Sequence, residues 1–233
     1  MSIGFIDSGI GGLTTFRLLR EKYPYSDYIY IGDTLYAPYG NLKPEVLFSR
    51  IRELTNFLRR KGVDAVVLAC NTSSARVGGD CSVLPLIRVL PPVDLALRET
   101  RRDVLLLCTA LTASSEYVQK RMCGRLIVKG MKNLATLIEE VAPSFHILED
   151  FLTEALLPYS DCEAVILGCT HYAYLTPVIQ KILPGKKIFD GSDFVADSAR
   201  SYMKEENGLI EFHVTGGTRL NYKQLFDSFP PNN

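Results

Sequence analysis

"DAVVLACNTSSA" at residues 64–75 and "EAVILGCTHYAY" at residues 163–174 are two versions of one pattern. Each opens on an acid, continues as an apolar run and closes on a cysteine followed by polar residues. The step from acid to cysteine is the same in both, Asp64 to Cys70 and Glu163 to Cys169. Short continuous runs of Val, Leu and Ile read as strands buried on both faces, the kind that parallel sheets use. In open parallel sheets, ligands bind beyond the carboxyl ends of the strands. Both cysteines stand at such ends.

Working outward, the same alternation fills the chain. Strands are expected at 2–6, 27–32, 64–69 and 85–90, with helices at 11–22 and 44–61. "PPVD" at 91–94 reads as a hinge. The pattern then restarts, with strands at 103–107, 125–128, 163–168 and 186–190 and helices at 113–122, 133–142, 146–157, 174–183 and 192–204. The tail "EFHVTGGTRLNYKQLF" adds a strand and a helix. This βαβ alternation in two related halves predicts an α/β fold of two doubly wound parallel-sheet domains related by pseudo-twofold symmetry. With the halves facing each other, the two thiols flank one ligand between them.

The chain has 233 residues, enough for two domains with real cores. Its 26 Lys and Arg balance 26 Asp and Glu, which gives no electrostatic case for nucleic acid or an anionic membrane. "MSIGFIDSGIGG" has no basic stretch before a long apolar one, so no signal peptide is read, and no run approaches a membrane span. A cytoplasmic protein with reduced thiols is expected. None of the six cysteines forms a CxxC pair, so zinc spacing is absent. No lysine stands at a strand end in a Schiff-base setting, so no cofactor and no metal are expected.

Two facing thiols suit one chemistry in particular. Inverting a stereocentre by proton transfer needs a base on one face of the carbon and an acid on the other. A thiol titrates near 8.5 and is tuned by its neighbours. The bland reading is that a cysteine after a buried strand is a small core hydrophobe. That reading fits Cys81, Cys108, Cys123 and Cys162. It fits Cys70 and Cys169 less well, because each precedes polar residues, Asn71-Thr72 and Thr170-His171, and the two form a repeat pair.

The chain resembles the cofactor-independent glutamate racemases over nearly its whole length. The resemblance rests on "GFIDSGIGGLT" (4–14), "IGDTLYAPYGNLKPE" (31–45), "ACNTSSA" (69–75), "LGCTHY" (167–172) and "FHVTGG" (212–217), all in order. It implies two α/β domains with the active site between them, no pyridoxal phosphate and no metal, and a role supplying D-glutamate for bacterial peptidoglycan and so for the cell wall. Because the "FHVTGG" strand and last helix match the family's closing segment, it also implies a first domain of 1–94 plus 194–233 and a second of 95–193. The partner is a small-molecule substrate, L- or D-glutamate, and a homodimer is left open.

The resemblance implies that Cys70 takes the proton from D-glutamate and Cys169 from L-glutamate. Asp7 and Ser8 become site residues, Asp7 near Cys70. Tyr39 and Gly40 line the pocket. Asn71, Thr72, Thr170 and His171 bind the amino acid beside each catalyst, His171 also assists Cys169, and Thr112 adds a hydroxyl. In the family an acid after a "CP" supports the second half-site; "NLATLIEEV" places Glu139 in that role. Read without the family, "GIGG" at 9–12 is a tight strand–helix turn and no GxGxxG fingerprint, since position 14 is Thr. Asp7 is then a helix cap and Glu139 a solvated surface acid. His146 and His213 read as surface or packing residues.

The chain departs from the family in several places. "RVGGDCS" shortens the segment after Cys70, Leu111 stands where Gly is usual, and Met131-Lys132 replaces the "CP". Ala173 stands where Pro is common. An aspartate or hydantoin racemase on the same scaffold, or a catalytically silent binding paralogue, are the alternatives. The segments after both cysteines have the glutamate-type form.

Overall fold

The structure is a computed structural model that describes residues 2–78, 81–204 and 206–228. Its strands are β1 (Ser2–Asp7), β2 (Asp27–Gly32), β3 (Val63–Leu68), β4 (Leu86–Arg88), β5 (Val104–Cys108), β6 (Leu126–Gly130), β7 (Ala164–Gly168), β8 (Lys187–Asp190) and β9 (Ile210–Val214). They form two wholly parallel sheets, ordered β4-β3-β1-β2-β9 and β6-β5-β7-β8. The helices are α1 (Leu13–Lys22), α2 (Pro44–Arg60), α3 (Asn71–Arg76), α4 (Val93–Glu99), α5 (Ala110–Ala113), α6 (Glu116–Gln119), α7 (Leu134–Val141), α8 (Glu149–Leu156), α9 (Thr176–Ile182), α10 (Val195–Ala199) and α11 (Tyr222–Ser228).

The two-residue period of each strand sorts its side chains between two layers. Ile3, Phe5, Tyr28, Tyr30, Ala65 and Val67 of the first sheet join Leu105, Leu107, Val165 and Leu167 of the second in one continuous core. The alternate residues form separate outer cores, with Ile6, Ile29, Ile31, Val66 and Leu68 on one sheet and Val104, Leu106, Ala164 and Ile166 on the other. The inner faces of both sheets therefore share a single apolar interior, and the carboxyl ends of β1, β3 and β7 meet beside it.

Helix α2 shows how the outer layer forms. Leu47, Ile51, Leu54 and Leu58 recur at helical spacing and are buried against the first sheet. Pro44 opens the helix, Glu45 lies in its first turn and Arg59 and Arg60 in its last, each where the backbone dipole favours it. The tail returns to the first sheet. β9 pairs with β2, and Phe16 of α1 packs on Phe212 of β9 and Phe226 of α11 at centroid distances of 5.9 and 4.7 Å.

Several elements differ from the sequence expectation. The "PPVD" segment carries the start of a helix that the sequence did not announce: α4 begins at Val93, and Val93 and Ala96 are buried against the second sheet. The helix expected at 113–122 is two short helices, because Thr109 caps α5 and Ser115 caps α6 through side-chain bonds to the amides of Thr112 and Val118. The helices expected at 174–183 and 192–204 are interrupted by tighter turns at Thr170–Leu175, Gly191–Phe194 and Arg200–Tyr202. Helix α3 stops at Arg76, and Gly79 and Asp80 of the shortened segment lie outside the described residues.

Candidate active site

Cys70 follows β3 and opens α3, and Cys169 follows β7 and opens the turn Thr170–Leu175. Each sulfur-bearing residue is 6% exposed. Ser8 Oγ lies 3.9 Å from Cys70 Sγ, and the backbone amides of Ser73 and Thr72 also favour its charge. Burial, and next the charge of Asp7, outweigh those donors and push the Cys70 thiol up to about 12. At neutral pH it is a protonated acid.

Asp7 ends β1 and is fully buried. Its Oδ1 accepts from the Gly9 amide at 2.9 Å and its Oδ2 from Thr170 Oγ1 at 3.2 Å. Burial raises the pKa of its carboxyl, while the His171 charge and the Gly9 and Gly12 amides pull it back. Asp7 thus acts on Cys70 by charge and holds Thr170 of the opposite half by a hydrogen bond.

The second half-site is a chain of three groups. Cys169 Sγ lies 3.9 Å from His171 Nδ1, and His171 Nε2 lies 2.8 Å from Glu139 Oε1. The same Glu139 oxygen accepts from the Ile10 amide at 3.0 Å. Burial opposes a proton on His171, but the bonds to Cys169 and Glu139 prevail and raise its pKa well above the ordinary imidazole value. Glu139 is held below its ordinary value: burial works against its charge, and His171 and the Ile10 amide overcome it. Glu139 is a partly buried partner of His171, and the solvated-acid reading of the bare sequence does not hold.

The "GIGG" turn is more than a turn. A Cβ on Gly9 would collide with the Glu139 carboxylate, and one on Gly11 would lie 2.6 Å from Thr170 Oγ1 and against the His171 ring. Glycine stands at both positions because the other half of the molecule occupies that space. Their spacing signalled only local geometry in the sequence.

On the opposite wall, Thr72 Oγ1 lies 3.0 Å from Thr109 Oγ1 and 3.2 Å from Thr112 Oγ1, and the latter two are 3.0 Å apart. Thr109 completes this triangle and was not among the expected site residues. Its signal was capping chemistry, a threonine just ahead of a short helix. Asn71 is buried with its amide on the Val89 carbonyl at 2.9 Å, tying α3 to the end of β4. Tyr39 is 1% exposed, and its hydroxyl donates to Asp33 Oδ2 at 2.7 Å. Gly40 lies close against Thr109. Arg50 grips Asp33 with two bonds of 2.9 and 2.6 Å, and Thr215 Oγ1 donates to Asp33 Oδ1 at 2.6 Å. The sequence reading missed Asp33, Arg50 and Thr215, which together fix the loop bearing Tyr39 and Gly40.

A cavity of about 240 Å³ leads to this region, lined among others by Ser8, Pro38, Glu139 and His171. Neither thiol lines it, but it reaches Ser8 beside Cys70 and His171 beside Cys169. No disulfide joins any of the six cysteines. His146 and His213 stand apart from the site; His213 pairs with Glu211. Among the described residues, no group of His, Cys, Asp and Glu is arranged to hold a metal ion. No helix among them is long and apolar enough to cross a membrane.

No family model matches the chain. It is 35% identical over 225 residues to a glutamate racemase of Aquifex aeolicus, covering 92% of this chain and 89% of the relative. It superposes on glutamate racemase from Thermus thermophilus in complex with β-chloro-D-alanine with a TM-score of 0.82 at 31% identity, covering 97% and 91% of the two chains. The glutamate racemase of Francisella tularensis in complex with D-glutamate gives a TM-score of 0.79 at 27% identity, with 97% and 92% covered. Picrophilus torridus aspartate racemase, at 17% identity and a TM-score of 0.60 over 86% and 93% of the chains, shares the fold alone.

Proposed function

The chain belongs to the glutamate racemase family, and we propose that it interconverts L- and D-glutamate by passing a proton between two opposed thiols, Cys70 and Cys169. The observation that carries this reading is the pairing of half-sites. Two thiols stand at the carboxyl ends of β3 and β7, each with its own titratable partner, Asp7 for Cys70 and the His171–Glu139 pair for Cys169. The reaction is an isomerisation, and the partner is a small molecule.

With L-glutamate, the Cys169 thiolate takes the α-proton. Cys70, protonated at neutral pH, gives its proton to the opposite face of the carbon. The product is D-glutamate, with the proton now on Cys169. The reverse reaction begins from Cys70, with Asp7 as its neighbour. His171, held charged by Glu139, donates to the Cys169 sulfur. The acidity of the α-proton is the main barrier, and a dry site with fixed donors is what lowers it. Burial of both thiols supplies the dryness.

The three hydroxyls of Thr72, Thr109 and Thr112 satisfy one another in the free protein. A carboxylate accepts from all three once their protons turn toward it, so this triangle is the proposed seat of one substrate carboxylate. Thr170 and Ser8 face the substrate beside the two thiols, and Asn71 sets the start of α3 from which Thr72 projects. Because the Tyr39 hydroxyl is engaged by Asp33, Tyr39 and Gly40 contribute the pocket wall. The proposed mechanism needs no pyridoxal phosphate and no metal. Catalysis by thiols needs a reducing compartment, which supports a cytoplasmic enzyme whose D-glutamate supplies peptidoglycan.

Incubation with L-glutamate in deuterated water tests the reading. The expected result is D-glutamate carrying deuterium at the α-carbon. Aspartate lacks one methylene, a difference worth about 1–3 kcal/mol in a pocket. Equal or faster turnover of L-aspartate, or no exchange with either acid, would overturn the assignment.

A further inference from the structure

The "FHVTGG" segment runs from β9 into a strap that crosses the mouth of the site. At one end Thr215 Oγ1 donates to Asp33, the Gly216 amide donates to Thr34 Oγ1 at 3.0 Å, and the Leu35 amide donates to Thr215 Oγ1 at 3.2 Å. At the other end Tyr222 is 3% exposed, with its ring seated over Gly32 where a Cβ would collide with it. Held at both ends, the strap presents Thr218, Arg219 and Leu220 to the cavity shared with Ser8, Glu139 and His171. Arg219 Nη2 donates to the backbone carbonyl of Glu139 at 3.4 Å, and the side chain is otherwise solvent-exposed.

The charges around this cavity are unevenly matched to its substrate. Glu139 and Glu140 line it as acids, and His171 is engaged between Glu139 and Cys169. Among the described lining residues, Arg219 is the one permanent cation. Glutamate arrives with two carboxylates and one ammonium, past the Glu140 carboxylate that repels it, the Glu139 charge being met by His171. A guanidinium offers a carboxylate a planar fork of donors, and an exposed one acts through a field that salt screens. We infer that Arg219 is the capture residue that takes a carboxylate of incoming glutamate at the cavity mouth. The inference rests on the glutamate reading above.

Steady-state kinetics of Arg219→Gln in both directions test it. The expected result is a KM raised about fivefold for L- and D-glutamate, the size of an exposed charge pair, with the loss falling on KM and little on kcat. The ionic-strength dependence of kcat/KM flattens, and Arg219→Lys recovers most of the KM. Arg60→Gln, at the far end of α2, controls for net charge and changes neither. An unchanged KM, or a fall in kcat alone with the parental salt dependence, would overturn the inference and leave Arg219 a structural prop of α7. Calorimetric titration with D-glutamate reads the same loss of affinity in a chain that does not turn glutamate over. Failure of the capture role and failure of the glutamate reading are thereby distinguishable.

Discussion

Glu139 reaches out of α7 to place Oε1 2.8 Å from Nε2 of His171, and the two residues hold each other's charge. Glu139→Gln keeps the shape and removes the charge. kcat is expected to fall about 10²-fold, the lower range for an acid–base contribution. The alkaline limb of kcat/KM moves to lower pH, because the pKa of His171 is no longer held up. The linkage has a definite sign. The stability that His171 gains from its raised pKa is full below its ordinary 6.5 and is lost as pH rises through the raised value. The part due to Glu139 is present above its ordinary 4.5 and is lost as pH falls through the lowered value. pH–rate profiles and denaturation across the same range check both, and an alkaline limb that stays in place refutes the pairing.

Asp7→Asn is expected to separate stability from activity. Burial raises the Asp7 carboxyl above its ordinary 3.8, so stability linked to its protonation is present below 3.8 and lost as pH rises through the raised value. Above that raised value the protein carries a buried charge that an amide does not. The variant should be as stable as the parent or about 1 kcal/mol more stable, a rise of about 2–4 °C in Tm. Racemisation should fall steeply in the same variant. A Tm well below the parent's would show that the bonds to Gly9 and Thr170 matter more than the burial of charge.

Single replacement of Cys70 or Cys169 by Ala should lower racemisation by at least about 10³-fold in both directions, since each thiol serves in each direction. Circular dichroism should show both variants folded. Replacement of Cys123, exposed, or Cys81, partly exposed, should leave turnover within about twofold, as is usual for surface changes. Polarimetry on the four variants is sufficient, and a Cys70→Ala enzyme that still racemises within a few-fold of the parent contradicts the two-thiol scheme.

The strands were legible because β1, β2, β3, β5 and β7 are apolar on both faces and so appear as continuous runs. The length and period of α2 were legible for the opposite reason, one buried face and one wet one. The break between α5 and α6 was missed although Ser115 is a good N-cap, because the apolar spacing runs on across it. α4 was missed because the two prolines ahead of it mask a helix start. In the site, bare sequence logic located the two thiols through their repeat, and the family resemblance supplied most of their neighbours. Contacts across the two halves were out of reach of either. Periodicity reports that a residue faces a core, and it does not say that Ile10 meets Glu139 or that Thr109 completes a triangle with Thr72 and Thr112.

Arg50→Met should destabilise the protein by about 3–5 kcal/mol, because it strands the Asp33 carboxylate in the interior with only the Tyr39 and Thr215 hydroxyls for partners. Adding Asp33→Asn should return part of that loss, since the stranded charge disappears. Urea denaturation of the two single variants and the double variant gives the coupling. A single Arg50→Met loss below about 1 kcal/mol would mean the pair is no more than a surface bridge.

The fit of Gly9 and Gly11 against Glu139, Thr170 and His171 bears on recombination between relatives. The two sheets have separate outer cores but share one inner core, and β9 of the tail belongs to the first sheet, so a hybrid that takes the second sheet from a cousin and keeps this chain's tail should assemble each sheet provided the inner core still fits. Its activity depends on a narrower match. Any side chain at the turn, or a longer acid facing it, wedges the halves apart where Glu139, His171 and Cys169 line up. These positions form a linkage group in the steric sense, and breakpoints that divide the set are expected to yield folded hybrids with little turnover.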